Sequence, residues 1–172
     1  MPDRTDDPFS LLGVERSWSV DVMQIRALQA RLLAAHHPDR HRNGVAHDAA
    51  VAHCARINRA VAILCDPLQR AEALIGLGDA AGASVALPQE VLLEMLSRRD
   101  ALSEATTSDD IAKCRDWIAL EKAAQEHAFG LVLSSASVDW SAARRVLAHL
   151  RALARLDEDA QRQPVGQGRM KA

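Results

Sequence analysis

Apolar residues recur along most of this chain at steps of three and four, the period of helices that bury one face. Asp7-Pro8 followed by Phe9, Leu11, Leu12 and Gly13 predicts a short helix with Asp7 as N-cap and Gly13 near its stop. Ser19 and Asp21 are candidate caps for a second helix, whose Val22, Ile25, Leu28, Leu32 and Ala35 form one stripe. Pro38 ends it near His36. The segment His37 to Gly44 has no period and closes on Asn43-Gly44, a turn signal. A third helix is predicted from about Val45 to Cys65, with Ala50, Cys54, Ile57, Val61 and Leu64 facing the second, and Asp66-Pro67 interrupts it.

Glycine then concentrates at Gly76, Gly78 and Gly82, which predicts a linker over 76–87 between a domain at 1–75 and another at 88–160. In the second domain Pro88 opens a helix carrying Val91, Leu92, Met95, Leu96 and Leu102. Ser108-Asp109-Asp110 caps another carrying Ile111, Trp117, Ile118, Leu120 and Leu131, and Ser137 or Asp139 begins a third with Trp140, Ala143, Val146, Leu147, Leu150, Leu153 and Leu156. Three helices on short loops predict a bundle. Residues 161–172, with Pro164, Gly166 and Gly168 and no apolar period, are predicted to be disordered.

Composition supports an all-α class. The 172 residues are 48% hydrophobic, yet only 3% aromatic with no Tyr, so the residues that favour strands are scarce beside alanine and leucine. A net charge of -2 gives no global pull toward nucleic acid or a membrane surface. Three cysteines without a C-x-x-C spacing suit reduced thiols in a cytoplasmic compartment. The acidic start, Asp3, Asp6 and Asp7, does not fit an export signal, and no apolar run approaches the length a membrane span needs.

His37-Pro38-Asp39 alone is a weak motif, but it stands in an ordered set: Phe9-Ser10-Leu11-Leu12-Gly13, His37-Pro38-Asp39-Arg40, Ile57-Asn58-Arg59-Ala60 and Asp66-Pro67-Leu68-Gln69-Arg70. This set resembles the J domain. The resemblance implies an antiparallel helical hairpin whose His-Pro-Asp loop and basic second helix dock on a DnaK-type chaperone and accelerate its ATP hydrolysis. The residue types suit that task. Pro38 fixes its own φ and biases His37 away from helix, giving a stiff turn, and Asp39 offers a carboxylate to a partner arginine. Arg26, Arg31, Arg40 and Arg42 supply local positive charge. Two positions depart from the family pattern: Gln29-Ala30-Arg31 stands where Tyr-Arg-Lys is common, and Cys54 where an aromatic is common.

No Gly/Phe-rich linker or repeated C-x-x-C follows, and a small helical domain comes instead. With Arg70-Ala71-Glu72-x-Leu74 after Asp66-Pro67-Leu68, the whole chain resembles the iron-sulfur cluster co-chaperone HscB family. That resemblance implies two partners, an HscA/DnaK-type chaperone and an IscU-type cluster scaffold, and no cofactor. Leu92-Leu93-Glu94-Met95-Leu96-Ser97-Arg98-Arg99-Asp100-Ala101-Leu102-Ser103-Glu104 looks like the family's scaffold-binding segment. By position, Leu92, Leu93 and Leu96 become apolar contacts and Asp100 and Glu104 acidic ones, while Ser97 replaces an acid and Ala152 a large apolar residue. Apart from the family, Leu93, Leu96, Asp100 and Glu104 share one helix face as an apolar strip with an acidic end, and Leu93 also fits a peripheral core position. The alternative is a J-domain co-chaperone for another client.

Three further readings are weaker. His37 and His41 have the spacing of helical zinc ligands, but Pro38 breaks the helix that spacing requires. Pairing His37 or His53 with Asp39, Cys54 or Cys65 offers no third group for enzymatic catalysis. The arginines near the loop lack the interleaved aromatics of a nucleic-acid surface.

Overall fold

Aspartates cap three of the four α-helices described in the first half of the chain. The structure, a computed structural model, describes residues 7–40 (the Arg40 side chain excepted), 44–79, 82–83 and 85–163. Asp7 accepts the Phe9 amide at 3.0 Å and caps α1 (Pro8–Leu12), which ends on Gly13 at φ 67°, a left-handed position that suits glycine. Asp21, not Ser19, caps α2 (Val22–Ala35) by accepting from Met23 and Gln24. A single 3-10 turn spans Pro38–Arg40, and Gly44 at φ 88° precedes α3 (Val45–Cys65). Asp66 then ends α3 and caps α4 (Pro67–Gly78), accepting from Gln69 at 2.8 Å.

The chain divides into two compact units, Met1–Ala80 and Ala81–Ala172. In the first, α3 is the central helix: α1, α2, the 3-10 turn and α4 all pack against it. Gln29 bonds Asn58, and His36 meets His53 and Cys54, so positions rise on α2 as they fall on α3. The pair is an antiparallel hairpin. Phe9, Leu12, Ile25, Ile57, Val61, Leu64, Ala71 and Leu74 are buried between the helices. The predicted α3 stripe is buried except for half-buried Cys54, whereas on α2 only Ile25 is fully buried. Val22, Leu28 and Leu32 are half-buried and Ala35 is exposed, because among the described residues α2 packs mainly on α3.

Arg70 closes the base of this unit. Its guanidinium is buried, donates to the Leu64 carbonyl and lies 4.6 Å from the centre of the Trp18 ring. It thereby joins the last turn of α3 to the 14–21 loop.

The second unit is a three-helix bundle of α5 (Gln89–Glu104), α6 (Ser108–Leu133) and α7 (Trp140–Arg162). Thr107 caps α6 through a reciprocal capping box with Asp110, one residue earlier than the predicted Ser108 start. Asp139 caps α7 by accepting from Ala142. The core joins Leu102 of α5 to Ile111 and Ile118 of α6 and to Leu156 and Ala160 of α7, with Phe129, Ala143, Leu147, Leu150 and Leu153 also buried.

Several sequence expectations change. Leu120 and Leu131, predicted for the packed face of α6, are 75% and 62% exposed, and the unforeseen Phe129 is buried instead. Residues 76–78, predicted as the start of the linker, are the last residues of α4. Gln161 and Arg162, predicted as tail, are the last residues of α7, and the rest of that tail lies outside the described residues. Among the described residues no helix is long and apolar enough to cross a membrane.

Candidate binding surfaces

The His-Pro-Asp segment joins the C-terminal end of α2 to α3. The His36 amide still bonds the Leu32 carbonyl, closing the last turn of α2. Pro38 has no N–H with which to continue it. His37 and Asp39 point into solvent, with side chains 54% and 84% exposed. The Asp39 amide donates to His37 Nδ1 at 3.3 Å, and the Asp39 carboxylate lies 3.4 Å from the same nitrogen. The turn therefore orders itself locally and presents a carboxylate outward.

Arg26 and Arg31 are both exposed on α2, but five residues separate them, about 140° around a helix. They do not meet. Arg31 borders a shallow groove with Leu12, Gly13, Glu15, Gln24 and Leu28, while Arg26 lies on the other edge of the exposed face. The side chains of Arg40 and Arg42 lie outside the described residues, as does His41.

Side chains from α3 brace the turn from behind. His47 Nδ1 is 3.3 Å from the Pro38 carbonyl, and the Cys54 thiol donates to the His36 carbonyl at 3.4 Å. His53 stands edge-on to His36, with centroids 4.6 Å apart, and its Nδ1 accepts from Arg56 at 3.2 Å. Burial lowers the pKa of His53, and the positive neighbours His36 and Arg56 lower it further. Sequence reasoning placed Cys54 on the face of α3 that meets α2 and noted it as a departure from an aromatic position, without linking it to the turn. The missed signal is the seven-residue interval from His47 to Cys54, two helical turns on one face.

On α5 the predicted strip is exposed as a group. Leu92, Leu93 and Leu96 are 47%, 58% and 57% exposed, and Asp100 and Glu104 continue the same face. All five positions fall within about 120° around the helix, opposite the face where Leu102 enters the core. Leu92 and Leu96, which also fit the apolar period of this helix, are surface residues. Polar contacts flank the buried Leu102 on the packed side. Arg98 bonds Glu94 at 2.7 Å and stacks 4.3 Å from the Trp117 ring centre, Arg99 pairs with Asp159 at 3.2 Å, and Gln163 donates to the Leu102 carbonyl.

Ala152 falls seven and eleven residues before Asp159 and Gln163, so it lies on the face of α7 that meets α5. Its neighbour Leu153 is fully buried in the core. Among the described residues no three or more His, Cys, Asp or Glu side chains come together to hold a metal.

Residues 87–161 match the family model described as the HSCB C-terminal oligomerisation domain. The Co-chaperone protein HscB homolog of Ralstonia nicotianae is 30% identical over 154 residues, covering 85% of this chain and 88% of that one. In fold, the chain is similar to the crystal structure of human co-chaperone protein HscB, with a TM-score of 0.84, 22% identity, and coverage of 93% of this chain and 83% of the other. It is also similar to chaperone HscB from Vibrio cholerae, with a TM-score of 0.78, 23% identity, and coverage of 91% and 96%. This chain belongs to the HscB co-chaperone family, with an N-terminal J domain followed by a C-terminal three-helix bundle.

Proposed function

We propose that this protein is an adaptor in iron-sulfur cluster biogenesis. Its J domain stimulates ATP hydrolysis by a DnaK/HscA-type chaperone, and its C-terminal bundle binds an IscU-type scaffold and delivers it to that chaperone. The observation that carries this reading is the His37-Pro38-Asp39 turn: a rigid bend whose carboxylate is 84% exposed on its side chain and faces solvent. Such a group is free to form charge-assisted hydrogen bonds to a partner guanidinium, and Arg26 and Arg31 supply positive charge on either side of α2. Arg40 follows the turn directly.

Leu92, Leu93 and Leu96 support the scaffold half. Three half-exposed leucines on adjacent turns form an apolar strip that water solvates poorly, and Asp100 and Glu104 give it an acidic end suited to a basic patch on the partner. No step here requires a group to be made or broken by this chain, which acts by binding. The test is ATP hydrolysis by a DnaK-type chaperone with the full chain added. Wild type accelerates hydrolysis, and Asp39→Ala does not while keeping its melting temperature. Equal stimulation by both proteins contradicts the proposal.

A further inference from the structure

α3 reaches back to the end of α2 with two hydrogen-bond donors placed two turns apart. His47 Nδ1 faces the Pro38 carbonyl at 3.3 Å, and the Cys54 thiol faces the His36 carbonyl at 3.4 Å. A carbonyl only accepts, so His47 carries its proton on Nδ1 in this contact. The need for outside donors follows from the sequence. The last carbonyls of a helix have no partner within it, and Pro38 brings no N–H to the turn that follows. The two bonds fix the main chain immediately before and after His37. The edge-on contact of His53 with His36 adds a third point of attachment.

We propose that His47 and Cys54 are positioning residues that hold the His37-Pro38-Asp39 turn in the orientation the partner chaperone reads. The inference rests on the J-domain reading above. Neither side chain touches the partner; each acts through the main chain it anchors. Holding the turn before contact removes an ordering cost from docking, so the effect belongs in the concentration needed for stimulation and not in its ceiling. Loss of one neutral hydrogen bond corresponds to a roughly three- to tenfold change in that concentration.

The experiment measures ATP hydrolysis by a DnaK-type chaperone against the concentration of the full chain. His47→Leu and Cys54→Ala delete the donors. His47→Asn places an amide near the position of Nδ1, and Cys54→Ser substitutes a hydroxyl, so both keep a donor. The deletions are expected to raise the half-maximal concentration by roughly three- to tenfold each at an unchanged maximum, and the donor-keeping variants to restore it. Amide hydrogen exchange is expected to rise at residues 36–40 and to stay unchanged in the core of α3 around Ile57.

Unchanged half-maximal concentrations in the deletion variants, with Asp39→Ala inactive, overturn the inference and leave the J-domain reading standing. Equal impairment of the donor-keeping variants, or faster exchange throughout the first unit, shows a general packing role and also overturns it. Full stimulation by Asp39→Ala removes the J-domain reading, and the inference falls with it.

Discussion

Asp7 is almost fully buried, yet it keeps its charge because its oxygens are engaged from three sides: the Phe9 amide at 3.0 Å, the Ser10 hydroxyl at 2.6 Å and the Arg16 guanidinium at 2.8 Å. Burial pushes its pKa up, but hydrogen bonds from Ser10, Arg16 and the Phe9 amide, together with the Arg16 charge, bring it below the ordinary carboxylate value. An unfolded chain therefore takes up this proton more readily than the folded one. The stabilisation is complete above about pH 4 and is lost as pH falls below that. Melting curves from pH 6 to 2 should show a decline that Asp7→Asn flattens, from a lower starting stability.

His149 is a base, yet its effect on stability runs in the same direction. Burial against α6 lowers its pKa, while Glu121 at 3.9 Å raises it by less. The folded chain resists this proton, so stability is complete above about pH 6.5 and is lost as pH falls through that value. Denaturant titrations of the full chain at pH 7 and pH 5.5 should differ less for His149→Leu than for wild type. Some slope remains, because His53 resists protonation too. Arg70→Ala should cost about 2–3 kcal/mol by denaturant midpoint, since it removes a charged donor from the Leu64 carbonyl and a cation from the Trp18 ring.

At the scale of elements, α5 offers the sharpest contrast. Leu102 is buried in the core, whereas Leu92, Leu93 and Leu96 are exposed on the opposite face. Leu102→Ala should cost about 2–5 kcal/mol of stability. The triple Leu92/Leu93/Leu96→Ala change should cost little stability, about 0.5 kcal/mol per site or less, and yet weaken scaffold binding by roughly 100-fold or more in a calorimetric titration. Scaffold affinity unaffected by the triple change removes the proposed site.

The same helix shows what the sequence made legible and what it hid. Caps at Asp7, Asp21 and Asp139 are local chemistry, and the structure uses all three, whereas Asp66, read from sequence only as a break, also caps α4. Burial depends on neighbours, which periodicity does not specify. Leu120 and Leu131 have apolar spacing but are exposed among the described residues, and the outer half of the α2 stripe is only partly covered. The His37-Pro38-Asp39 and Leu92 to Glu104 segments were legible because both are contiguous motifs. The brace was not: His47 and Cys54 are ordinary residues singly, and only the return of α3 past the turn gives them a shared role.

For the whole molecule, the proposed function assigns the two compact units two separate tasks, the turn of the first to a chaperone and the strip of the second to its client. Membership of the HscB family makes co-chaperone action the shared property. Coupling of the two tasks in one chain is the central claim. Its most direct measurement is the rate of ATP hydrolysis by a DnaK-type chaperone, taken with and without the IscU-type scaffold, for wild type, Asp39→Ala and the Leu92/Leu93/Leu96→Ala variant. The account predicts that wild type and scaffold together exceed the sum of their separate effects. The leucine variant should keep the scaffold-independent stimulation and lose the excess, and Asp39→Ala should lose both. Additive effects in wild type, or an excess that survives in the leucine variant, would contradict it.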